Sequence, residues 1–175
     1  YKKVSFLISG SGSNLLEILK KNYDNKDFKI ITIISNNNIS TKIKSYLDKF
    51  YKDVLVREYQ RTLQIKNFYD TDVIFSVGYM RVIEKSIIEN FDVINLHPSI
   101  LPNYKGLMTQ KRMLINNEKY YGFTIHKVSS ELDDGQTISN KTKKINTKDE
   151  SELLKKHKNL EHKFVYQQFV KYLLN

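Results

Sequence analysis

Cysteine, tryptophan and alanine are absent from this chain of 175 residues, and it contains only two prolines and six glycines. Without cysteine the chain can form no disulfide framework, thiolate nucleophile or cysteine-based zinc site. Nothing therefore requires an oxidising compartment, and we expect a cytoplasmic protein. Long apolar runs are also missing, because the stretch from Val4 to Ile8 is too short for a signal sequence or a membrane span. We expect no membrane association.

Arginine is scarce although the chain is strongly basic. Lysine and arginine together number 29 against 19 acidic residues, for a net charge of +10, yet only four of the basic residues are arginine. Such a charge is typical of nucleic-acid-binding proteins, but arginine is the residue best suited to bidentate contacts with phosphate and guanine. The abundant lysine, asparagine, isoleucine and tyrosine share A/T-rich codons. We attribute most of the charge to a solvated surface and predict no nucleic-acid partner.

Strand-like and helix-like segments alternate along the first half of the chain. Apolar, β-branched segments predict strands at residues 4–8, 29–35, 53–56, 72–77 and 92–95. Amphipathic segments predict helices at residues 14–22, 40–50 and 84–90, with a weaker helical pattern at 60–69. This order indicates an α/β fold with a Rossmann-like, mainly parallel sheet, helices on both faces and right-handed crossovers.

The pattern changes after Asn95. Both prolines fall in residues 95–107, which we predict to be a loop, and a helix is predicted at 108–116. Strands at 120–128 and 136–146 are separated by a polar turn and can pair with each other. A final long helix is predicted at 151–174, with five apolar side chains facing the sheet: Leu153, Leu154, Leu160, Phe164 and Leu173. We find no repeat or linker and predict a single domain over residues 1–175.

A glycine-rich loop follows the first strand and precedes the first helix. Its residues are Gly10, Ser11, Gly12, Ser13 and Asn14. Glycines allow the backbone to approach a phosphate, and the N–H groups at a helix N-terminus attract negative charge. The third glycine of a dinucleotide fingerprint and the Gly-Lys-Ser/Thr of a P-loop are both missing. The loop therefore predicts a site for a small phosphorylated ligand, and a tight turn without a ligand is the alternative.

Asn95 and His97 end a central strand, where open α/β sheets bind their ligands. Alternation along an extended backbone directs both side chains to the same side. An amide donor and an imidazole together can stabilise an oxyanion, and histidine can move a proton near neutral pH. The alternative is a loop asparagine that caps a turn beside a histidine that is satisfied by backbone carbonyls.

An acidic turn between the last two strands supplies a third candidate. One of its aspartates, Asp133 or Asp134, can lie against His97 and favour the imidazolium form. The alternative is an Asp-Gly turn with no chemical role. We predict no metal site because the four histidines lack zinc-ligand spacing, and we interpret His126 as structural.

Five segments in order closely resemble the phosphoribosylglycinamide formyltransferases, the folate-dependent glycinamide ribonucleotide transformylases of purine synthesis. They are LISGSGSNL, GYMRVI, NLHPSILPNYKGL, HKVSSELDDGQTI and NLEHKFVYQ. The resemblance runs from the first strand to the last helix, and its Asn-x-His-Pro-Ser loop with a downstream Leu-Asp is specific to the formyltransferase superfamily. It implies that the chain transfers a formyl group from 10-formyltetrahydrofolate, as a co-substrate, to glycinamide ribonucleotide, without a metal. Monomer and homodimer both stay open.

The resemblance also implies roles for individual residues. Asn95, His97 and Asp133 match the family's catalytic trio. The glycine loop from Gly10 to Asn14 matches the phosphate site, and Lys158 and Glu161 match residues near the ribose end of the ribonucleotide. Folate contacts are implied for Arg61, Met80, Arg81, Val82, Ile83, Asn95, Ser129, Ser130, Glu131, Leu132 and Asp133.

Several positions depart from the family pattern. The chain is shorter between Asn36 and Asp72, which thins the support on one side of the folate pocket. Asp134 and Gln136 replace a common glycine and proline, and Met108 and Gln110 stand where histidines are common. These changes concern loop geometry and catalytic efficiency.

Four other functions compete with this one. The nearest alternatives formylate another amine, either methionyl-tRNA or a nucleotide-linked amino sugar. The methionyl-tRNA relative would need an additional C-terminal domain, for which 175 residues leave no room. A formyltetrahydrofolate hydrolase would carry an additional N-terminal domain. A non-catalytic binder of nucleotide or folate has no need of Asn95, His97 and Asp133 together.

Overall fold

Parallel strands organise the first part of the chain. The computed structural model describes residues 1–175 and divides them into two units, residues 1–95 and 96–175. In the first unit the strand order is β3-β2-β1-β4-β5, and all pairings are parallel. The elements are β1 (Lys3–Ile8), α1 (Ser13–Asn25), β2 (Lys29–Ser35), α2 (Thr41–Phe50), β3 (Leu55–Arg57), a 3₁₀ helix (Ile65–Phe68), β4 (Val73–Ser76), α3 (Lys85–Asn90) and β5 (Asp92–His97), whose last two residues belong to the second unit.

The central strands of the first unit are buried along almost their whole length. Phe6 in β1 and Phe75 in β4 are fully buried, with ring centroids 6.0 Å apart. Strands that are apolar at consecutive positions are expected where both sheet faces are covered, which is the usual setting of a parallel sheet. The predicted parallel α/β arrangement is therefore confirmed.

The region between β2 and β4 is less regular than the sequence pattern predicts. The strand predicted at 53–56 is found at Leu55–Arg57, and all three of its residues are exposed. The prediction of a helix at 60–69 is wrong, because only the short 3₁₀ helix Ile65–Phe68 forms there. Gln64 and Asn67 bond each other's backbones there, and such local bonds compete with α-helix formation.

An antiparallel strand pair and two helices form the second unit. They are α4 (Thr109–Ile115), β6 (Tyr120–Lys127), β7 (Thr137–Lys144) and α5 (Glu150–Leu174). β6 pairs with β7 in antiparallel register, from Tyr120 opposite Lys144 to His126 opposite Thr137, as predicted. β6 is buried along most of its length, whereas β7 is mainly exposed.

The 25-residue helix α5 buries polar as well as apolar side chains. Leu153, Leu160 and Leu173 are buried as predicted, and Phe164 is half-buried, but Leu154 is 40% exposed, so its prediction is wrong. Consecutive helical residues differ by 100° in direction, and Leu154 consequently lies beside the buried stripe. His157 and Glu161 occupy that stripe instead. None of the helices is both long enough and apolar enough to span a membrane.

The N-terminus of α5 provides a test of this fold. The Asp149 side chain accepts a hydrogen bond of 2.8 Å from the backbone N–H of Glu152 and caps the helix. We expect Asp149→Ala to lower the free energy of unfolding by about 1 kcal/mol, measured by urea denaturation with circular dichroism. The control is Asp48→Ala, at an exposed position inside α2, which should change stability by less than about 0.5 kcal/mol. Equal effects of the two substitutions would contradict the capping role.

Candidate active site

The glycine loop leads into α1, whose N-terminus has no side-chain cap. Gly12 precedes α1 in a left-handed conformation, with φ of 68°, and no side chain caps the helix. A Cβ at Gly12 would meet only the end of the Ile43 side chain, so it is the left-handed backbone conformation that favours glycine. The first turn of α1 contains no acidic residue. This loop therefore has the backbone geometry and the partial positive charge that suit an anion.

Ser9 ties this loop to its neighbours in the first unit. Its Oγ donates to the Asn36 side chain and accepts a 2.8 Å bond from the Met80 N–H. Its N–H donates to the Gly78 carbonyl at 3.0 Å, and its carbonyl accepts a 2.9 Å bond from Asn37. Residues that follow β1, β2 and β4 are thereby held together at the carboxyl edge of the parallel strands.

An apolar loop follows β4. Met80 and Val82 are 62% and 87% exposed, whereas Ile83 is buried. Exposed apolar side chains at the carboxyl end of a parallel strand can form one wall of a site for a flat, apolar ligand. Arg81 is exposed in the same loop, and Arg61 is exposed in the segment between β3 and the 3₁₀ helix.

His97 and Asp133 form a buried pair in the second unit. His97 Nδ1 lies 3.4 Å from Asp133 Oδ2, and both side chains are less than a tenth exposed. His97 Nε2 donates to the Tyr104 carbonyl at 2.8 Å, because a carbonyl can only accept. Both ring nitrogens therefore face protein oxygens. The predicted proximity of an acidic-turn aspartate to His97 is confirmed, and it is Asp133.

Backbone groups of residues 104–106 hold this pair in place. The Gly106 N–H donates to Asp133 Oδ2 at 2.8 Å, and the Tyr104 carbonyl accepts from His97. Lys105 pairs with the exposed Asp134 at 2.6 Å, which lowers the pKa of that carboxyl through a charged hydrogen bond. Asp133 has a φ of 50°, a left-handed conformation that aspartate tolerates better than most residues.

His126 lies on the other side of the same carboxylate. Its Nε2 is 3.9 Å from Asp133 Oδ1, and its Nδ1 donates to the Lys127 carbonyl at 2.8 Å. Burial lowers the pKa of His126, so the ring is neutral at neutral pH and its Nε2 is an acceptor. Sequence reasoning treated His126 as structural. The structure adds only that this buried ring lies beside Asp133, a proximity that its position three residues before the Ser129–Asp133 loop could have indicated.

The other predicted contact residues of the second unit lie on two elements. Ser129, Ser130, Glu131 and Leu132 precede Asp133 in the β6–β7 loop, where the Ser129 Oγ bonds the Glu131 backbone and Leu132 is 70% exposed. Lys158 is exposed on α5, whereas Glu161 on the same helix is only 8% exposed. Sequence reasoning missed the holding groups of Ser9, Tyr104 and Gly106. Tyr104 and Gly106 act through backbone groups, and the bonds of the Ser9 hydroxyl depend on how the loops after β1, β2 and β4 meet, so none of the three has a residue pattern.

A comparison with protein families matches residues 2–169 to the formyl transferase family. Among individual relatives, the phosphoribosylglycinamide formyltransferase of Escherichia coli is 30% identical over 151 residues, covering 75% of this chain and 68% of the relative. The Haemophilus influenzae enzyme of the same name is 28% identical over 155 residues, covering 78% and 70%. A trifunctional purine biosynthetic protein of Drosophila melanogaster is 31% identical over 154 residues, or 78% of this chain, but the match spans only 11% of that protein.

Solved structures agree with the sequence comparisons. The phosphoribosylglycinamide formyltransferase of Campylobacter jejuni matches with a TM-score of 0.85 at 25% identity, covering 98% of this chain and 97% of that one. The glycinamide ribonucleotide transformylase 1 of Symbiobacterium toebii has a TM-score of 0.84 at 22% identity, covering 97% and 88%, and it supports the fold alone. The family match over almost the whole chain and the E. coli relative together establish that this chain belongs to the formyl transferase family.

Proposed function

We propose that the chain transfers the formyl group of 10-formyltetrahydrofolate to the amine of glycinamide ribonucleotide, a step of purine biosynthesis. The buried pair of His97 and Asp133 is the observation that carries this function, since a scaffold that only binds ligands has no need of a buried histidine–aspartate pair at the end of a strand. The phosphoribosylglycinamide formyltransferases among the relatives supply the substrate class.

Asn95 and His97 act on the reacting carbonyl in this proposal. Both lie on β5, and alternation directs both side chains to one side of the strand. The amine attacks the formyl carbon and creates a tetrahedral oxyanion, which the Asn95 amide stabilises by hydrogen bonding. Because both nitrogens of His97 face protein oxygens, we assign His97 a stabilising role through the positive charge of its imidazolium form.

Asp133 assists the proton transfer. The attacking amine must lose a proton, and the departing folate nitrogen must gain one, while the C–N bond to folate breaks. Asp133 Oδ2 accepts a hydrogen bond from the Gly106 N–H, and Oδ1 lies 3.9 Å from His126 Nε2. We assign Oδ1 as the oxygen that relays the proton through a water molecule. The formyl group passes directly between substrates, so no covalent enzyme intermediate is required, and proximity of the two substrates provides much of the acceleration.

Both substrates are placed by the remaining predicted residues. The loop from Gly10 to Asn14 binds the ribonucleotide phosphate, and Lys158 and Glu161 bind nearer the ribose. The 80–83 loop and residues 129–133 bind the folate, with Met80 and Val82 packing against the pterin ring and Arg61 making a further contact. The Met80 N–H already donates to Ser9, so folate hydrogen bonds in this loop are expected from the backbone beyond Met80.

We further propose that the chain works as a single domain in the cytoplasm, as a monomer or homodimer, on small molecules and without nucleic acid or metal. The second candidate function is formyl transfer to another amine. Relatives outside purine biosynthesis include a bifunctional polymyxin resistance protein of Wigglesworthia glossinidia brevipalpis, 30% identical over 141 residues, or 74% of this chain and 22% of that protein. A spectrophotometric assay with purified chain and 10-formyl folate tests these functions. Turnover with glycinamide ribonucleotide, and not with an amino-sugar nucleotide or charged initiator tRNA, is expected. Turnover with only one of the alternative acceptors would show that this acceptor, and not glycinamide ribonucleotide, is the substrate.

Replacement of Asn95 tests the oxyanion role. We expect Asn95→Ala to lower kcat by roughly 10²–10³, the usual loss for one oxyanion donor. The matched control is Asn90→Ala, at an exposed position whose amide bonds only the Ser86 carbonyl within α3. Steady-state kinetics of both variants provide the measurement, and near-normal turnover of Asn95→Ala would remove this residue from the mechanism.

Replacement of Asp133 tests the proton relay. Asp133→Asn keeps an oxygen that accepts the Gly106 N–H but removes the proton-accepting charge, so kcat should fall by roughly 10²–10⁴. Affinity for the ribonucleotide, measured by calorimetry, should stay nearly intact. Asp134→Asn is the control, because its exposed pair with Lys105 contributes little, and its kcat should stay near that of the parent chain. A parallel loss of kcat and ribonucleotide affinity in Asp133→Asn would indicate disrupted folding instead.

A further inference from the structure

A hydrogen bond between α4 and α5 has no part in the formyl transfer scheme. Gln110, the second residue of α4, donates from Nε2 to His157 Nδ1 on α5 at 2.7 Å. His157 is 1% exposed, and the buried Tyr121 ring packs against it with centroids 5.5 Å apart. A buried imidazole needs a polar partner, and Gln110 supplies one across the two helices.

His157 is suited to accept this bond. Only a neutral imidazole with its proton on Nε2 accepts at Nδ1. Burial lowers the pKa of His157 to about 4, with His97 adding to the lowering, so the ring is neutral at neutral pH. Gln110 stands where the resembled family commonly has histidine. An amide keeps its N–H donors at every pH, so the ability of Gln110 to donate this bond does not depend on its own protonation.

The bond lies beside a residue assigned to the ribonucleotide. Glu161 follows His157 by four residues on α5, so the two side chains share one helix face. Both are buried, at 1% and 8% exposure. His157 and Glu161 therefore belong to one buried segment of α5.

Gln110, the donor of this bond, lies on the same segment of chain that contacts the catalytic pair. Gln110 follows Gly106 by four residues, and Gly106 donates to Asp133. Arg112, also on α4, donates to the Lys105 carbonyl at 2.7 Å and so fixes α4 to the segment that holds His97 and Asp133. One continuous run, residues 104–112, thus contacts both the catalytic carboxylate and the buried face of α5.

We propose, on the basis of the formyl transfer proposed above, that Gln110 is a positioning residue for the ribonucleotide. Its hydrogen bond to His157 fixes the α5 face that carries Glu161 relative to Asp133, so that the amine is presented to the carboxylate. Gln110 itself touches no reacting atom in this assignment. Its loss should therefore affect ribonucleotide binding more than folate binding.

Two substitutions of Gln110 and one control provide the test. Gln110→Ala should raise both the calorimetric Kd and the KM for glycinamide ribonucleotide roughly 3–10-fold, the range expected for one buried neutral hydrogen bond, while the KM for 10-formyl folate stays within about twofold. Gln110→Glu keeps the side-chain length but has no donor when ionised, and should match Gln110→Ala at pH 8. Lys111→Ala, exposed on the same helix, should match the parent chain. Imidazole ¹⁵N NMR should show a changed tautomer balance of His157 in Gln110→Ala.

Different failures of this experiment are distinguishable. Parent-like ribonucleotide Kd and KM in Gln110→Ala, or equal increases in KM for both substrates, would overturn the positioning role while formyl transfer stands. A parent chain that neither binds the ribonucleotide nor transfers a formyl group would overturn the proposed function, and the role of Gln110 with it. That outcome is recognised in the unsubstituted protein before any variant is compared.

Discussion

The buried carboxylate of Asp133 is the constraint on which the site depends. An ionised carboxylate with a side chain only 9% exposed is costly unless charges and hydrogen bonds compensate it. Compensation comes from the Gly106 N–H and from the facing ring of His97. The conformation of residues 104–106 is therefore constrained at both ends. The Tyr104 carbonyl accepts a hydrogen bond from His97, and the Gly106 N–H donates one to Asp133. The geometry of the His97–Asp133 pair thus follows from the need to satisfy one buried carboxylate.

The two units contribute different parts of the proposed chemistry. Residues 1–95 offer a helix N-terminus without a cap and an exposed apolar loop, connected through the hydrogen bonds of Ser9. Residues 96–175 offer the paired His97 and Asp133 and the buried polar face of α5. The surplus lysines take little part in either, which agrees with a solvated basic surface. Only the exposed Lys158 is assigned to a ligand.

Sequence patterns predicted the parallel strands well because burial on both faces leaves apolar runs that are unmistakable, as in Lys29–Ser35. The 60–69 segment failed because its weak periodicity competed with local side-chain bonds of Gln64 and Asn67. At the site, the acidic turn predicted that one of two aspartates lies against His97, and the family resemblance singled out Asp133. Backbone donors such as Gly106 and the partnership of Gln110 with His157 could not be predicted, since they depend on how helices and loops pack.

We propose that the formyl group passes directly from folate to an amine, with Asn95, His97 and Asp133 acting on the reaction. Mass spectrometry of a reaction with ¹³C-formyl folate and glycinamide ribonucleotide tests it most directly. The label is expected in the formylated ribonucleotide, with no labelled adduct on the quenched protein. Label recovered only as formate, or attached covalently to the chain at His97, would contradict direct transfer.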